Sequence, residues 1–165
     1  DVFIHMRDLP KPVVAVVQGR ALAGGCGLAT ACDMVLAHED AVFGYPEVQR
    51  GFVPAMVMAM LTRAVGEKVA FDLVATGRML PASEALAIGL ISRVMPSANF
   101  EAEVASILER LACAGSTTLA LIKKQLYELD GRSFPEAVKL GSEVNAIARS
   151  TPSFKEAVAR FLSKE

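Results

Sequence analysis

At 165 residues, with 53% hydrophobic and only 21% charged side chains, the chain is long enough for one ordinary domain with a real core and too apolar to be disordered. A formal net charge of −1 excludes the field that would gather nucleic acid, and no apolar run reaches the length of a membrane-spanning helix. The apolar richness suits a chain that buries surface against further segments or partner subunits. Cys26, Cys32 and Cys113 show no metal spacing and an odd count, which reads as reduced, buried thiols in an intracellular, cytoplasmic setting with no metal site.

Asp1 to Met6 is a short mixed segment, and a lone histidine such as His5 reads as structural. Pro12 pushes Lys11 out of helical geometry, so the apolar, β-branched run Val13 to Val17 enters cleanly as a buried strand. The strand breaks at Gln18-Gly19. A turn rich in small residues then leads to a short helix from Gly24, whose unpaired N–H groups point at a ligand. Asp33 ends that helix by hydrogen bonding to backbone amides. Extended pieces follow near Met34 to Ala37 and Ala41 to Phe43, with the polar turn His38-Glu39-Asp40 between them.

The next turn, Gly44-Tyr45-Pro46-Glu47-Val48, holds the acid best placed for chemistry, Glu47, with Val48 and Phe52-Val53 as a candidate apolar wall. Pro54 opens a helix containing Met56, Met58 and Met60, which cannot all share one face, so that at least one is expected to line a pocket. Gly66 stops it, and Glu67 to Ala75 forms another helix ended by Gly77. Ser83 is expected to cap a short helix through Ile88, and Leu90 to Val94 reads as a strand. Pro96 closes this region, so the boundary falls between 1–96 and an all-helical 97–165. The helices there are Phe100 to Ala114, Ser116 to Leu129 behind a Ser/Thr cap cluster, Ser133 (boxed with Glu136) to Arg149, and a last one boxed by Ser153 and Glu156.

KPVVAVVQGRALAGGCGLATACDMVLAHEDAVFG with the PE that follows Tyr45, GEKVAFDLVATGRMLPASEALAIGLISRV, and the closing TPSFKEAVARFLSKE together resemble the enoyl-CoA hydratase/isomerase superfamily, the crotonases, over essentially the whole chain. The resemblance implies an α/β fold: a crotonase-like ββα spiral core, of which 1–96 is the C-terminal part, followed by a helical region, 97–165, that trimerises the enzyme and covers active sites. Family members carry a long portion before the KPV strand, so the chain resembles the C-terminal part of such an enzyme.

The site residues follow from the same resemblance. Gly24 lies three residues before the first catalytic-glutamate position, so its N–H is expected to supply one arm of an oxyanion hole for a thioester oxygen, the second arm coming from the preceding portion. Ala23, Gly25, Pro46, Phe52 and Met56 are the expected substrate-binding residues. Glu47 falls on the second catalytic-glutamate position, twenty residues after Gly27. Gly27 itself stands where two-carboxylate hydratases carry the first glutamate. Ala55 stands where the dienoyl-CoA isomerases carry an aspartate, and Pro54-Ala55-Met56 replaces a glycine-rich string, so the pocket is expected to differ from that of the short-chain hydratases. Lys123, Lys124 or Lys164 could meet CoA phosphates, solvated lysine being the more ordinary reading. The implied activity is hydration of a 2-enoyl-CoA, narrowly ahead of Δ3–Δ2 isomerisation by Glu47 alone; a catalytically inactive assembly fragment is the third reading. The implied partners are an acyl-CoA substrate and further copies of the chain, as a trimer or dimer of trimers, with no cofactor beyond the coenzyme A of the substrate, no nucleic acid and no membrane.

Overall fold

The β-branched run after Pro12 becomes a four-residue strand, β1 (Val14–Val17), in a computed structural model that describes residues 1–163. β1 pairs in parallel with β3 (Met34–His38), from Val14 opposite Met34 to Val17 opposite Ala37. The other edge of β3 pairs in parallel with β6 (Arg93–Met95), giving the order β1-β3-β6. Val35, Leu36 and Ala37 are buried, as expected of a central parallel strand covered on both faces. A second sheet has the order β2-β4-β5: β2 (Arg20–Leu22) is parallel to β4 (Val42–Gly44), and β4 is antiparallel to β5 (Met79–Pro81). The sequence reading treats Arg20–Leu22 as part of a turn. Three residues are too few to display a strand period, and the pairing partner lies far along the chain.

Helices cover these sheets. α2 (Gly24–Ala31) connects β2 to β3, and α3 (Ala55–Val65) and α4 (Glu67–Thr76) turn Val57, Leu61, Ala70 and Leu73 inward. Each fully buried leucine or phenylalanine here, such as Leu61, Leu73 and Phe43, contributes roughly 1.5–3 kcal/mol of hydrophobic free energy. α5 is Ala82–Ala87, with Pro81 rather than Ser83 in the cap position. The Ala82 N–H donates to the Ala41 carbonyl at 2.9 Å, which starts the helix earlier than the Ser83 signal implies. The expected strand Leu90 to Val94 is likewise shifted to β6. The Leu90 and Ile91 amides are spent closing the end of α5 on the Ala85 carbonyl, at 2.9 and 3.3 Å.

The chain divides into two compact units, one of Asp1–Met6 with Val13–Leu108, the other of Arg7–Pro12 with the chain from Glu109 onward. The first holds both sheets, and α6 (Phe100–Cys113) contributes Phe100, Val104 and Ile107 to its buried residues. The second holds α7 (Ser116–Glu128), α8 (Phe134–Ser150) and α9 (Pro152–Leu162). α1 (Val2–Asp8) precedes β1. Gly115, not a Ser/Thr side chain, caps α7. The Ser133–Glu136 box is formed: a Glu136 carboxylate oxygen accepts from the Ser133 N–H at 2.9 Å and from its hydroxyl at 2.6 Å, which holds the carboxyl below its usual range. At α9 the cap is Thr151, whose hydroxyl accepts from the Phe154 N–H at 3.3 Å, and not Ser153. Thr151 precedes Pro152, is therefore kept extended, and takes the cap position first. The fold is thus an α/β sheet core followed by an all-helical region.

Asp33 anchors the entry to the first sheet. Its carboxylate accepts from the Val13 N–H at 2.6 Å, while its own N–H donates to the Val13 carbonyl at 2.9 Å. The partner amide lies across the β1–β3 pair, not next in sequence. Asp33→Ala should cost about 2 kcal/mol, the typical loss of a hydrogen bond to a charged group. Chemical denaturation measures it, and an unchanged midpoint would contradict this assignment.

Candidate active site

Two chain segments meet at the end of β4. The first is the start of α2. Ala23, immediately before it, sits at φ 51°, ψ −124°, and is the one non-glycine residue with positive φ among the described residues. Such a conformation costs on the order of 1–3 kcal/mol and persists only where its surroundings over-determine it. Here the Ala23 N–H donates to the Gly44 carbonyl at 2.9 Å, and its own carbonyl accepts the Gly27 N–H at 2.9 Å. The turn releases Gly24 and Gly25 from the strand. Their amides take no backbone acceptor among the described residues, and the space beside both α-carbons is open.

The second segment is the turn after β4. Tyr45 is fully buried, Pro46 opens a 3-10 turn over Pro46–Arg50, and Glu47 follows within it. Gly77, at φ 63° beyond the end of α4, makes this turn possible: a Cβ there would stand 3.0 Å from Val48 Cγ1 and 3.3 Å from Pro46 Cα. Glu47 Oε2 is buried and has no hydrogen-bond partner among the described residues. A buried carboxylate oxygen without a donor is costly, and it is rare in folded chains outside sites that receive a ligand, a water or a proton.

Buried and half-buried polar groups link the two segments. Thr30 Oγ1 is 2.6 Å from Tyr45 Oη and donates to the Cys26 carbonyl at 2.9 Å. Burial, above all, pushes both the Cys26 thiol and the Tyr45 hydroxyl well up from their ordinary values, with the Glu47 charge adding to each in the same direction. Both groups therefore stay protonated and neutral around pH 7. None of these three residues stands out in the sequence, where Thr30 and Cys26 look like ordinary helix residues and Tyr45 like turn filler.

The model of the Enoyl-CoA hydratase/isomerase family matches residues 1–165. The chain belongs to the enoyl-CoA hydratase/isomerase family. It is 43% identical over 162 residues to a Thermus thermophilus protein provisionally named enoyl-CoA hydratase, covering 98% of this chain and 64% of that protein. The crystal structure of human enoyl Coenzyme A hydratase domain-containing protein 3 superposes with a TM-score of 0.94 at 32% identity, over 99% of this chain and 65% of that one. A Mycobacterium smegmatis enoyl-CoA hydratase also reaches a TM-score of 0.94, at 29% identity, over 99% of this chain and 64% of that one. The chain thus spans less than two thirds of the length of these relatives. The crotonase-type core expected from the sequence is this sheet arrangement.

Within that family frame, Ala23, Gly24, Gly25, Pro46 and Glu47 all lie on the two segments that meet at Gly44. Phe52 and Met56 follow the second segment in the chain and are 66% and 73% exposed. The apolar wall expected around Glu47 is not closed, since Val48 and Val53 are also exposed and the fully buried groups that feel its charge are Cys26 and Tyr45. Hydrophobic side chains following a turn do not by themselves indicate which way they point. Met58 lies in a surface hollow with Thr62 and Phe71.

Lys123, read as solvated, is buried, with its ammonium donating to the Lys11 carbonyl at 3.0 Å; Lys124 is 3.8 Å from Glu128; Lys164 lies outside the described residues. His5 Nδ1 lies 2.8 Å from the Asp1 carbonyl oxygen, in a structural contact. Cys113 is exposed and Cys32 half-buried, so only Cys26 is the buried thiol expected of all three. Among the described residues no cluster of His, Cys, Asp or Glu could hold a metal.

Gly27 has a packing reason of its own. A Cβ built there would stand 2.5 Å from Val57 Cγ2, because α3 seats that methyl directly on α2. Valine in a helix is nearly locked at χ1, so it cannot swing aside cheaply. Gly27→Ala should therefore destabilise the fold by about 1–3 kcal/mol through overpacking. In the Gly27→Ala/Val57→Ala pair most of that loss should return. Thermal unfolding of the two singles and the double checks this, and strictly additive losses would show that the two side chains do not compete for one space.

Proposed function

We propose that the protein carrying this chain hydrates a 2-enoyl-CoA, with Glu47 as the acid/base and the Gly24 N–H as one donor to the thioester oxygen. The observation that carries the reading is the buried, unpartnered Glu47 Oε2 on a turn tied to the start of α2 by the Ala23–Gly44 bond. Family membership and the names of the relatives support the substrate class.

In this reading the enoyl thioester lies with its oxygen at the Gly24 amide. Negative charge grows on that oxygen as the bond to carbon 3 forms, and a preorganised donor aimed at it is typically the largest electrostatic contribution to such a reaction. Glu47 accepts a proton from water as the water oxygen bonds to carbon 3. It then returns a proton to carbon 2, which collapses the enolate to the saturated 3-hydroxyacyl thioester. The second oxyanion donor belongs to sequence outside this chain, as the family resemblance implies. A core over 1–96, a helical region over 97–165 and a cytoplasmic setting belong to the same reading. So does self-association as a trimer or dimer of trimers, for which the exposed Phe134, Val138, Phe154 and Phe161 of α8 and α9 offer apolar surface.

A second reading is favoured by Gly27. With Val57 in the space beside it, position 27 holds no acid, and one carboxylate is sufficient to take a proton from carbon 2 of a 3-enoyl-CoA and return it to carbon 4. The two readings differ in product, and both need Glu47. In the intact protein, Glu47→Gln should lower turnover about 10²–10⁴-fold, the usual contribution of a positioned acid/base. The assay follows loss of crotonyl-CoA and, separately, conversion of a 3-enoyl-CoA. Retention of near-wild-type rates on both would remove Glu47 from the chemistry and overturn the proposal.

A further inference from the structure

The buried hydroxyl of Tyr45 has no role in the proton transfers above, yet it links the turn that carries Glu47 to the helix that Gly24 begins. Its oxygen is 2.6 Å from Thr30 Oγ1, and Thr30 Oγ1 is 2.9 Å from the Cys26 carbonyl. A carbonyl only accepts, so the single threonine hydrogen goes to Cys26. The hydrogen between the two hydroxyls must then come from Tyr45. The chain of donors is directional: Tyr45 O–H to Thr30, Thr30 O–H to the Cys26 carbonyl. The Cys26 side chain is buried beside this pair. Tyr45 and Cys26 are both fully buried and Thr30 is half-buried, so these bonds lie largely in the low-dielectric interior.

The ends of this chain matter more than its middle. Thr30 and Cys26 are on α2, the helix that Gly24 begins, and Tyr45 is two residues before Glu47. The Ala23–Gly44 bond already joins the same segments through the backbone, on the residue before Gly24 and the residue before Tyr45. It continues the pairing of β2 with β4, which fixes the two backbones up to Gly44. The side-chain link adds a fixed point beyond the end of that pairing, between α2 and the turn that carries Glu47.

We infer that Tyr45 is a positioning residue, whose hydroxyl acts through Thr30 to hold the Glu47 carboxylate at its working distance from the Gly24 amide. This rests on the reading of Glu47 and Gly24 given above. A displacement of about 1 Å at a reacting group can cost a hundredfold in rate, so loss of the link should appear in turnover and not in substrate affinity.

The test is a kinetic double-mutant cycle on the intact protein. Tyr45→Phe keeps the ring and removes the hydroxyl; Thr30→Val keeps the shape and removes the relay. Each should lower kcat about tenfold or more while KM stays within about twofold. The double variant should lose no more than either single, because both break one linkage. Thr30→Ser, which keeps the hydroxyl, should restore turnover, a rescue that a purely space-filling role would not produce. Circular dichroism and thermal unfolding confirm that each variant is folded, and the Thr30 variants test the link on their own if Tyr45→Phe does not fold. Unchanged kcat in Tyr45→Phe or Thr30→Val, or losses that multiply in the double, would overturn the inference and leave the function intact. A wild-type protein inactive on both enoyl isomers would overturn the functional reading, and the positioning role with it.

Discussion

A single backbone hydrogen bond, from the Ala23 N–H to the Gly44 carbonyl, joins the start of α2 to the end of β4. β2 and β4 deliver their last residues to the same point, Leu22 opposite Gly44. One strand is then followed by Ala23 and the Gly24 amide, the other by Tyr45, Pro46 and Glu47. Ala23 adopts its unfavourable φ, ψ pair to make this junction, which ties a local cost to the place where the proposed function brings a thioester oxygen and a base together. The parallel sheet, the helices that bury its faces and the close approach allowed by Gly77 all hold this junction still.

The same packing constrains the chemistry. α3 seats Val57 against Gly27, so the turn of α2 after the Gly24 amide is filled by a hydrocarbon and not by an acid. Glu47 is left as the carboxylate of the junction, with an oxygen that no described group satisfies. Thr30 bonds to Tyr45 and to the Cys26 carbonyl, and burial keeps the Cys26 thiol and the Tyr45 hydroxyl protonated. The helical unit has a different character. Its buried Lys123 is spent on a backbone carbonyl, and several large apolar side chains of α8 and α9 face outward.

Much of this was legible in the residues. The Val13–Val17 run, the glycine-led helix after it, the Ser133–Glu136 box and Glu47 on its turn all carry strong local signals, in β-branched side chains, glycine, capping spacing and proline. The misplaced features depend on partners distant in sequence. Ser83 looks like a cap, but the Ala82 N–H already has the Ala41 carbonyl. Lys123 looks solvated, but its ammonium reaches Lys11, more than a hundred residues away. The Tyr45–Thr30–Cys26 cluster left no sequence signal, because each residue is ordinary alone and nothing in their spacing shows that the Tyr45 hydroxyl reaches back to α2.

The most direct measurement is a crystal structure of the intact protein with butyryl-CoA, a saturated thioester that binds without reacting. The thioester oxygen should lie about 3 Å from the Gly24 nitrogen, the distance of an oxyanion donor. The Glu47 carboxylate should face carbons 2 and 3 at about 3–3.5 Å, close enough for proton transfer. A thioester bound away from the Gly24 amide, with Glu47 turned from the acyl chain, would contradict the assignment of this junction as the reacting centre.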